Sequence, residues 1–417
     1  MDEIYTDDYI EKYWDRHFPT AESIETEEPE GFVNPGEDGQ VRQIAEFLAH
    51  LDDRVVRREL DRHYKVRPGI ERYPREAMFR AFLWRRIAKE RSLLGFHRLL
   101  GDSPFEALEL GFKYDPATRT VRIPSYQALW HFGNVRLDVE ELDELLDAVI
   151  RENARLAGEL GVPLGVGTAT DATPLETCRR DRTGVWNGHY KLKMVKVVIT
   201  EDVGTWLPLS YRVIGGNDGE GEHLVPMLME TRDRVGPRTM EESWFDGGFT
   251  SNENLAKTHA LLGLKCHFKI TKDWVGNVRF PRDGPGERSP EEEVHRLYGK
   301  LWEEGWYHDG VPLWYKMRCL VRAGRYEAVA MHFRNAYMAQ YEESPDGLLD
   351  AYHVRNNIEG VNGHLKDHYG LEDTLNVVGE RAITRHVLWT MLAAHIVAMV
   401  RLQHGVTDNL LSTTHLH

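Results

Sequence analysis

The sequence predicts a mixed α/β protein, and three observations predict it. Apolar residues recur at helical spacing from residue 41 to 160, three β-rich runs follow from residue 162 with a short turn joining the last two, and helical and strand patterns alternate beyond residue 220. Three antiparallel strands followed by alternating helix and strand make a mixed sheet with helices packed on its faces. With 417 residues the chain is long enough for two or three domains.

Residues 1–40 read as a poorly ordered acidic arm, in which thirteen acids stand against Lys12 and Arg16 and no apolar period is sustained. The arm carries a net charge of −11, so the rest of the chain holds only −4 of the total −15. Residues 41–160 read as a helical DNA-binding domain. Ile44, Phe47, Leu48 and Leu51 share one helical face, Met78, Phe79, Phe82, Leu83 and Ile87 repeat it, and Ser125 is placed to cap a helix running through Tyr126 to Phe132. Between Arg54 and Arg91, thirteen Lys and Arg residues, Arg85 and Arg86 among them, face five acids. A basic stripe of this kind suits phosphate binding, as in a helix-turn-helix-like module. Solvated scaffold helices laced with i,i+4 ion pairs produce the same pattern.

At Gly161 the character changes. Val162 to Thr170 reads as a strand running into Asp171, Tyr190 to Thr200 is β-rich, and the turn Glu201 to Gly204 joins it to a third strand, Thr205 to Ile214. A helix over about 222–234 follows, then a strand Ser243 to Phe245 ending in Asp246, a helix capped near Ser251 or Asn252, and a strand Leu264 to Ile270.

Residues 271–345 read as a β-rich insertion, with a Gly/Pro-rich stretch at Pro281–Gly286, a charged helix near 290–304, and two strands, Trp314 to Val321 and Tyr326 to Phe333, around Ala323 and Gly324. Helices return over 346–405, and 406–417 form a tail. The longest apolar run, Val387 to Val400, is interrupted by His395 and falls short of the roughly 20 residues that span a bilayer, so it reads as a buried helix. The N-terminus lacks the basic and apolar regions of a signal peptide. Cys178, Cys266 and Cys319 lie far apart without metal-finger spacing, which fits a reducing cytoplasm and no disulfide framework. No GxxxxGK[ST] motif is present, so nucleotide hydrolysis has no support.

Three acids stand where backbone geometry can bring them together: Asp171 at a strand end, Asp246 before two glycines, and Glu359 on a late helix. Each alone also suits an ordinary turn or a solvated helix. The segment "YHVRNNIEGVNGHLK", residues 352–366, shifts that balance. On an ideal helix at about 100° per residue, Tyr352, Arg355, Glu359, Gly363 and Lys366 fall within an arc of about 80°. Val354, Ile358, Val361 and Leu365 form a separate apolar stripe fit to dock on the sheet. Gly360 and Gly363 each cost roughly 1 kcal/mol in a helix interior and suggest close approach of something bulky, such as a nucleic-acid backbone. His353, His364 and His368 fall on the remaining side and read as solvated, since the spacing from Glu359 is not that of a zinc site.

The offsets Tyr352, Arg355, Glu359 and Lys366 match the Y-(2)-R-(3)-E-(6)-K signature, and the chain resembles the DDE transposases encoded by bacterial and archaeal insertion sequences. "TDATPLE" is similar to that family's first-aspartate strand, "HYKLKMVKVVITEDVGTWLPLSYRVIGGNDGEGEHL" to its strand-hairpin-strand, "WFDGGFTSNENL" to its second-aspartate block and "RNNIEGVNGHLKDHYGLEDTLNVVGERAITRHV" to its glutamate block. The likeness covers residues 160–405, and more loosely the helical region from residue 74.

The resemblance implies an RNase H-like catalytic domain, a mixed five-stranded sheet flanked by helices, built from 161–270 and 346–405 around the insertion. It implies that Asp171, Asp246 and Glu359 are catalytic and hold two Mg²⁺ or Mn²⁺ ions, and hard oxygen donors suit those ions better than zinc. Tyr352, Arg355 and Lys366 then contact DNA, with Lys191 and Lys193 on the hairpin and Arg85 and Arg86 in the basic stripe as further candidates. The activity implied is end cleavage and strand transfer on double-stranded DNA, by a homodimer that synapses two ends. It takes place in the nucleoid-associated cytoplasm, with no nucleotide cofactor and no membrane. A domesticated DNA-binding regulatory or architectural protein and an RNase H-like nuclease or resolvase are the competing readings. Three converging acids, which repel phosphate unless metals are present, argue against the first, and the Tyr-Arg-Glu-Lys face against the second.

Overall fold

The computed structural model describes residues 39–63, 73–178, 180–268, 289–301, 310–344, 347, 351–371, 374–375 and 377–413. Most of the acidic arm, Lys65, Arg67 and Arg72 of the basic stripe, and Pro281–Gly286 lie outside the described residues.

The first part is helical: α1 (Gly39–Ala49), α2 (Arg54–His63), α3 (Arg75–Ile87), α4 (Leu93–Asp102), α5 (Pro104–Glu109), α6 (Tyr126–His131) and α7 (Val139–Glu159), with a short ribbon of β1 (Tyr114–Asp115) and β2 (Thr120–Val121) before α6. Local capping sets the starts of several of these, Ser92 Oγ accepting from Gly95 N at 2.8 Å at α4. Ser125 Oγ accepts from Ala128 N at 3.2 Å at α6, and Asp138 with Glu141 closes a capping box at α7.

The sheet comprises β3 (Gly167–Thr177), β4 (Val185–Asn187), β5 (Leu192–Asp202), β6 (Pro208–Gly215), β7 (Glu242–Phe245), β8 (Lys265–Phe268) and β9 (Thr374–Leu375). Its body has the spatial order β6-β5-β3-β7-β8, with β3, β5 and β6 antiparallel and β7 and β8 parallel to β3. This is the expected five-stranded mixed sheet, extended by two short strands, β4 on β5 and β9 on β3. The helix α8 (Leu224–Val235) connects β6 to β7, and α9 (Asn252–Lys257), capped by Ser251, leads to β8.

The β-rich insertion is corrected by the structure. Residues after 289 form three helices, α10 (Pro290–Leu301), α11 (Leu313–Arg322) and α12 (Glu327–Glu343), so both expected strands lie in helix. Short apolar runs do not distinguish strand from buried helix. Here Lys316, Met317, Leu320 and Val321 are buried at helical spacing. Gly324, read as a hairpin turn, takes φ +72° just past the end of α11, the left-handed conformation that glycine adopts at helix C-termini.

The chain finishes with a 3₁₀ turn at Val354–Asn356, α13 (Asn357–Tyr369) and α14 (Glu380–Gln403). α14 is long and apolar enough to cross a bilayer, but 89% of its most apolar stretch is buried inside the protein, as expected of a core helix. One core joins α1–α7, one face of β3, β5 and β6, α13 and α14. Phe79 and Phe82 of α3 pack on Trp389 of α14, with ring centroids 5.7 and 5.0 Å apart. The boundary expected at residue 160 is therefore a change of secondary structure within one body, because the apolar face of α3 docks on the C-terminal helix. The tail is tied in as well, with Leu410 and Leu411 buried. A second core on the opposite sheet face holds α8, β8 and α10–α12.

Candidate active site

Side chains alternate along β3, so Ala169 and Asp171 share a face. The register sets Ala169 opposite Glu201 of β5 and Trp244 of β7, and Asp171 opposite Ile199. Asp246 stands one residue past the paired Thr170 and Phe245, where its Oδ1 accepts from Gly247 N at 2.6 Å and caps a short 3₁₀ turn. The two aspartates thus come level on adjacent parallel strands.

Arg355 lies between them. Its Nη2 donates to Asp171 Oδ2 at 2.8 Å and stands 3.9 Å from Asp246 Oδ2. The Asp171 and Arg355 side chains are 18% and 12% exposed and Asp246 48%, so the site opens to solvent on the Asp246 side. Burial lifts the Asp171 carboxyl above the usual carboxylate range, against the pull of Arg355. Burial also works against the Arg355 charge, but Asp171, Tyr352 and Asp246 outweigh it and hold that pKa above the ordinary arginine value.

Trp244 helps to place the arginine. Its indole Nε1 donates to Ala351 O at 2.7 Å, tying β7 to the chain just before the 3₁₀ turn. The indole stacks on His267 at 4.6 Å, and His267 Nε2 lies 2.8 Å from Glu242 Oε2. Ile358 packs with Ala169 and Trp244 beneath the helix, and Val361 and Leu365 are buried, as the apolar stripe predicted.

The polar face differs from its ideal-helix form. A 3₁₀ residue turns the chain by about 120° rather than about 100°, so Val354–Asn356 rotate Tyr352 by about 60° relative to Glu359 and Lys366. Tyr352 is accordingly buried at 8% exposure, and burial pushes its hydroxyl up to about 12. Lys366 reaches back to β3, with Nζ donating to Pro174 O at 3.4 Å. A Cβ at Gly360 would meet the Trp206 ring at 3.7 Å, and at Gly363 nothing described lies within 4 Å. Among the described residues no crowding requires either glycine. His353 and His368 are exposed, whereas His364 is half-buried beside His368 and Tyr369, which corrects its solvated reading.

Glu359 is exposed, four residues beyond Arg355. Among the described residues no three His, Cys, Asp or Glu side chains converge on a metal-sized site. The expected triad is a close pair plus a carboxylate standing apart, with a guanidinium in the space between the pair. Two hard carboxylates facing one positive charge are the donor chemistry a Mg²⁺-class ion takes, so Asp171 and Asp246 fit such a group.

The remaining candidates divide. Lys191 is exposed in a left-handed conformation, φ +55°, while Lys193 donates to Asp181 O and braces its loop. Arg85 donates to the carbonyls of Glu90 and Arg91 at 3.1 and 2.7 Å, and Arg86 Nη1 lies 2.9 Å from His386 Nδ1 on the core helix. Both guanidinium groups hold partners within the protein. In α2, Arg54, Arg57, Arg58 and Arg62 all pair with acids of the same region, the ion-pair alternative for the basic stripe.

Sequence reasoning missed Glu201. Assigned to the hairpin turn, it lies in β5 one residue before its end, with its side chain fully buried on the same sheet face as Asp171, and neither carboxylate oxygen has a hydrogen-bond partner among the described residues. Burial, reinforced by Asp202 and Asp171, pushes its pKa up to about 9.

Residues 163–396, from just before β3 into α14, match the family model described as Transposase DDE domain. Comparison with curated proteins gives no match.

Proposed function

This chain belongs to the family of transposases with a DDE domain, and from that premise we propose that it binds the terminal inverted repeats of a mobile element, cleaves its ends and joins the freed 3′-hydroxyl to target DNA. The observation that carries the reading is the meeting of Asp171 and Asp246 on adjacent strands around Arg355, with Glu359 one turn further along the same chain segment. On this reading Asp171, Asp246 and Glu359 hold two divalent ions, Mg²⁺ or Mn²⁺. Such ions, when bound, activate the attacking oxygen and stabilise the leaving one.

The protein's own groups do the rest. Asp171 lies on β3 and Asp246 directly follows the end of β7, and the sheet holds those two strands in register, which sets their separation. Arg355, once released from Asp171, offers a planar fork to a phosphate, and Lys366 a point charge farther along β3. Tyr352, buried against Arg355, packs the arginine in place. Hydrolysis at the element end leaves a 3′-hydroxyl, and attack of that hydroxyl on target DNA exchanges one phosphodiester for another, so no nucleotide is consumed. A homodimer pairing two ends in the nucleoid-associated cytoplasm completes the reading.

The test is Mg²⁺-dependent nicking and joining of DNA bearing the element's ends, comparing wild type with Asp171→Asn, Asp246→Asn and Glu359→Gln. Each substitution is expected to abolish both steps while end binding persists. Variants that cut as well as wild type would overturn the assignment.

A further inference from the structure

The far end of the β3–β5 pair presents a second surface. Residues 179–193 carry five Lys or Arg and one acid, Asp181, in a chain of net charge −15. Asp181 is buried, with Oδ1 accepting from Thr183 N and Gly379 N, each at 3.1 Å, so its charge is spent inward. Arg180, Arg182, His189 and Lys191 are exposed. Beside them Trp186 and Tyr190 are 62% and 44% exposed.

The backbone beneath these rings is fixed. Asn187 Oδ1 accepts from His189 N at 2.9 Å and Tyr190 N at 3.1 Å, its Nδ2 donates to Gly216 O at 2.8 Å, and Asn217 Nδ2 donates to Trp186 O at 3.0 Å. A braced scaffold that turns a tryptophan and a tyrosine toward water forgoes their burial energy, and exposed apolar surface rimmed by charge marks interaction sites. Aromatic faces among cations are what unstacked bases and their phosphates bind.

Position adds to this. Asp171 pairs with Ile199, Glu176 with Met194, and Met194 with Val185. Five strand residues separate the Asp171 level from the tip, about 17 Å at roughly 3.3 Å per residue. Lys366, held at Pro174, stands between.

We propose that the tip around Trp186 and Tyr190 is a single-stranded DNA contact, in which the two rings stack on unpaired bases about 17 Å from the phosphate at Asp171 and Asp246, while Arg180, Arg182 and Lys191 take the phosphates beside those bases. The proposal rests on the transposase reading for its substrate, but its test does not require cleavage.

Binding of a fluorescein-labelled, mixed-sequence single-stranded oligonucleotide is followed by anisotropy in EDTA, with the matching duplex in parallel. Trp186→Ala and Tyr190→Ala are each expected to weaken single-strand binding about tenfold. Trp186→Phe is expected to restore most of the loss, and Arg182→Ala and Lys191→Ala to lower the salt slope by about one each. The rings are exposed, so melting temperatures should match wild type and loss of binding is not loss of fold. Unchanged single-strand affinity in Trp186→Ala overturns the proposal. So does conversion of a dimer to a monomer by Trp186→Ala with DNA binding intact, which would assign the tip to a second copy of the chain. If the wild type never nicks DNA yet Trp186→Ala loses binding, the catalytic reading fails and the tip stands; the converse result fails the tip alone.

Discussion

The guanidinium of Arg355 donates to the Asp171 carboxylate at 2.8 Å from a helical segment 184 residues away in sequence, and lies 3.9 Å from Asp246. Part of the charge that a divalent ion would neutralise on these two acids is already met by the arginine. A cation entering between these acids competes with the arginine, and an arginine displaced in this way is freed for phosphate.

Arg355→Ala is therefore expected to bind Mn²⁺ more tightly than wild type in the absence of DNA, by roughly tenfold, the scale of a charge-assisted hydrogen bond. Titration calorimetry measures it. End binding should weaken in the same variant, and a Mn²⁺ affinity that falls or stays level would show that Arg355 does not compete for the site.

Glu201 predicts a pH dependence of stability. Its pKa is raised from 4.5 to about 9 in the fold, first by burial and then by Asp202 and Asp171. Below about pH 4.5 both folded and unfolded chains hold the proton; between there and about pH 9 only the folded chain does. The stability it contributes is thus present in acid and lost as pH rises, by at most about 1.4 kcal/mol per unit. Glu201→Gln, which cannot ionise, should match wild type near pH 5 and exceed it in melting temperature at pH 8. Parallel pH profiles for the two proteins would contradict this.

Gly363 separates stability from binding. Nothing described lies within 4 Å of a Cβ built there, and α13 continues on both sides. Gly363→Ala should stabilise the fold by up to about 1 kcal/mol through helix propensity. If a DNA backbone passes over this point, the same variant binds ends less well; thermal melts and anisotropy on one preparation read both effects.

Arg86→Ala should behave in the opposite way. Its partner His386 is buried on the core helix and held well below the ordinary histidine pKa by burial and then by Arg86 and Arg85. Removing the guanidinium should lower the melting temperature, by roughly 1–3 kcal/mol in stability for a lost buried partner, and leave the salt slope of end binding unchanged. A reduced slope would return Arg86 to the DNA surface.

Much of this molecule was legible in advance where a local signal existed. β-rich runs marked β5, β6 and the first residues of β3 but not its continuation through Asp171 to Thr177, Ser125 and Ser251 marked helix starts, and the stripe of Ile358, Val361 and Leu365 marked the docking face of α13. Of the three helices of 290–343, the charged first one was read as a helix, whereas the other two were read as strands because short apolar runs suit strand and helix alike, and Gly324 suits a hairpin or a helix end. The 3₁₀ turn at Val354–Asn356 has no periodic signature, yet it moves Tyr352 from the polar face into the interior.

The sequence alone determined which acids and cations this protein has for its chemistry, and their spacing along one segment. Spacing is a local property, set by 3.6 residues per turn and two per pleat. Only the tertiary structure decided that Arg355 meets Asp171, that Arg86 turns inward to His386, and that Glu201 is buried on the sheet face of the site. Each of those depends on strand register or helix docking between distant segments, where burial raises the energy of an unpaired charge and so selects its partner.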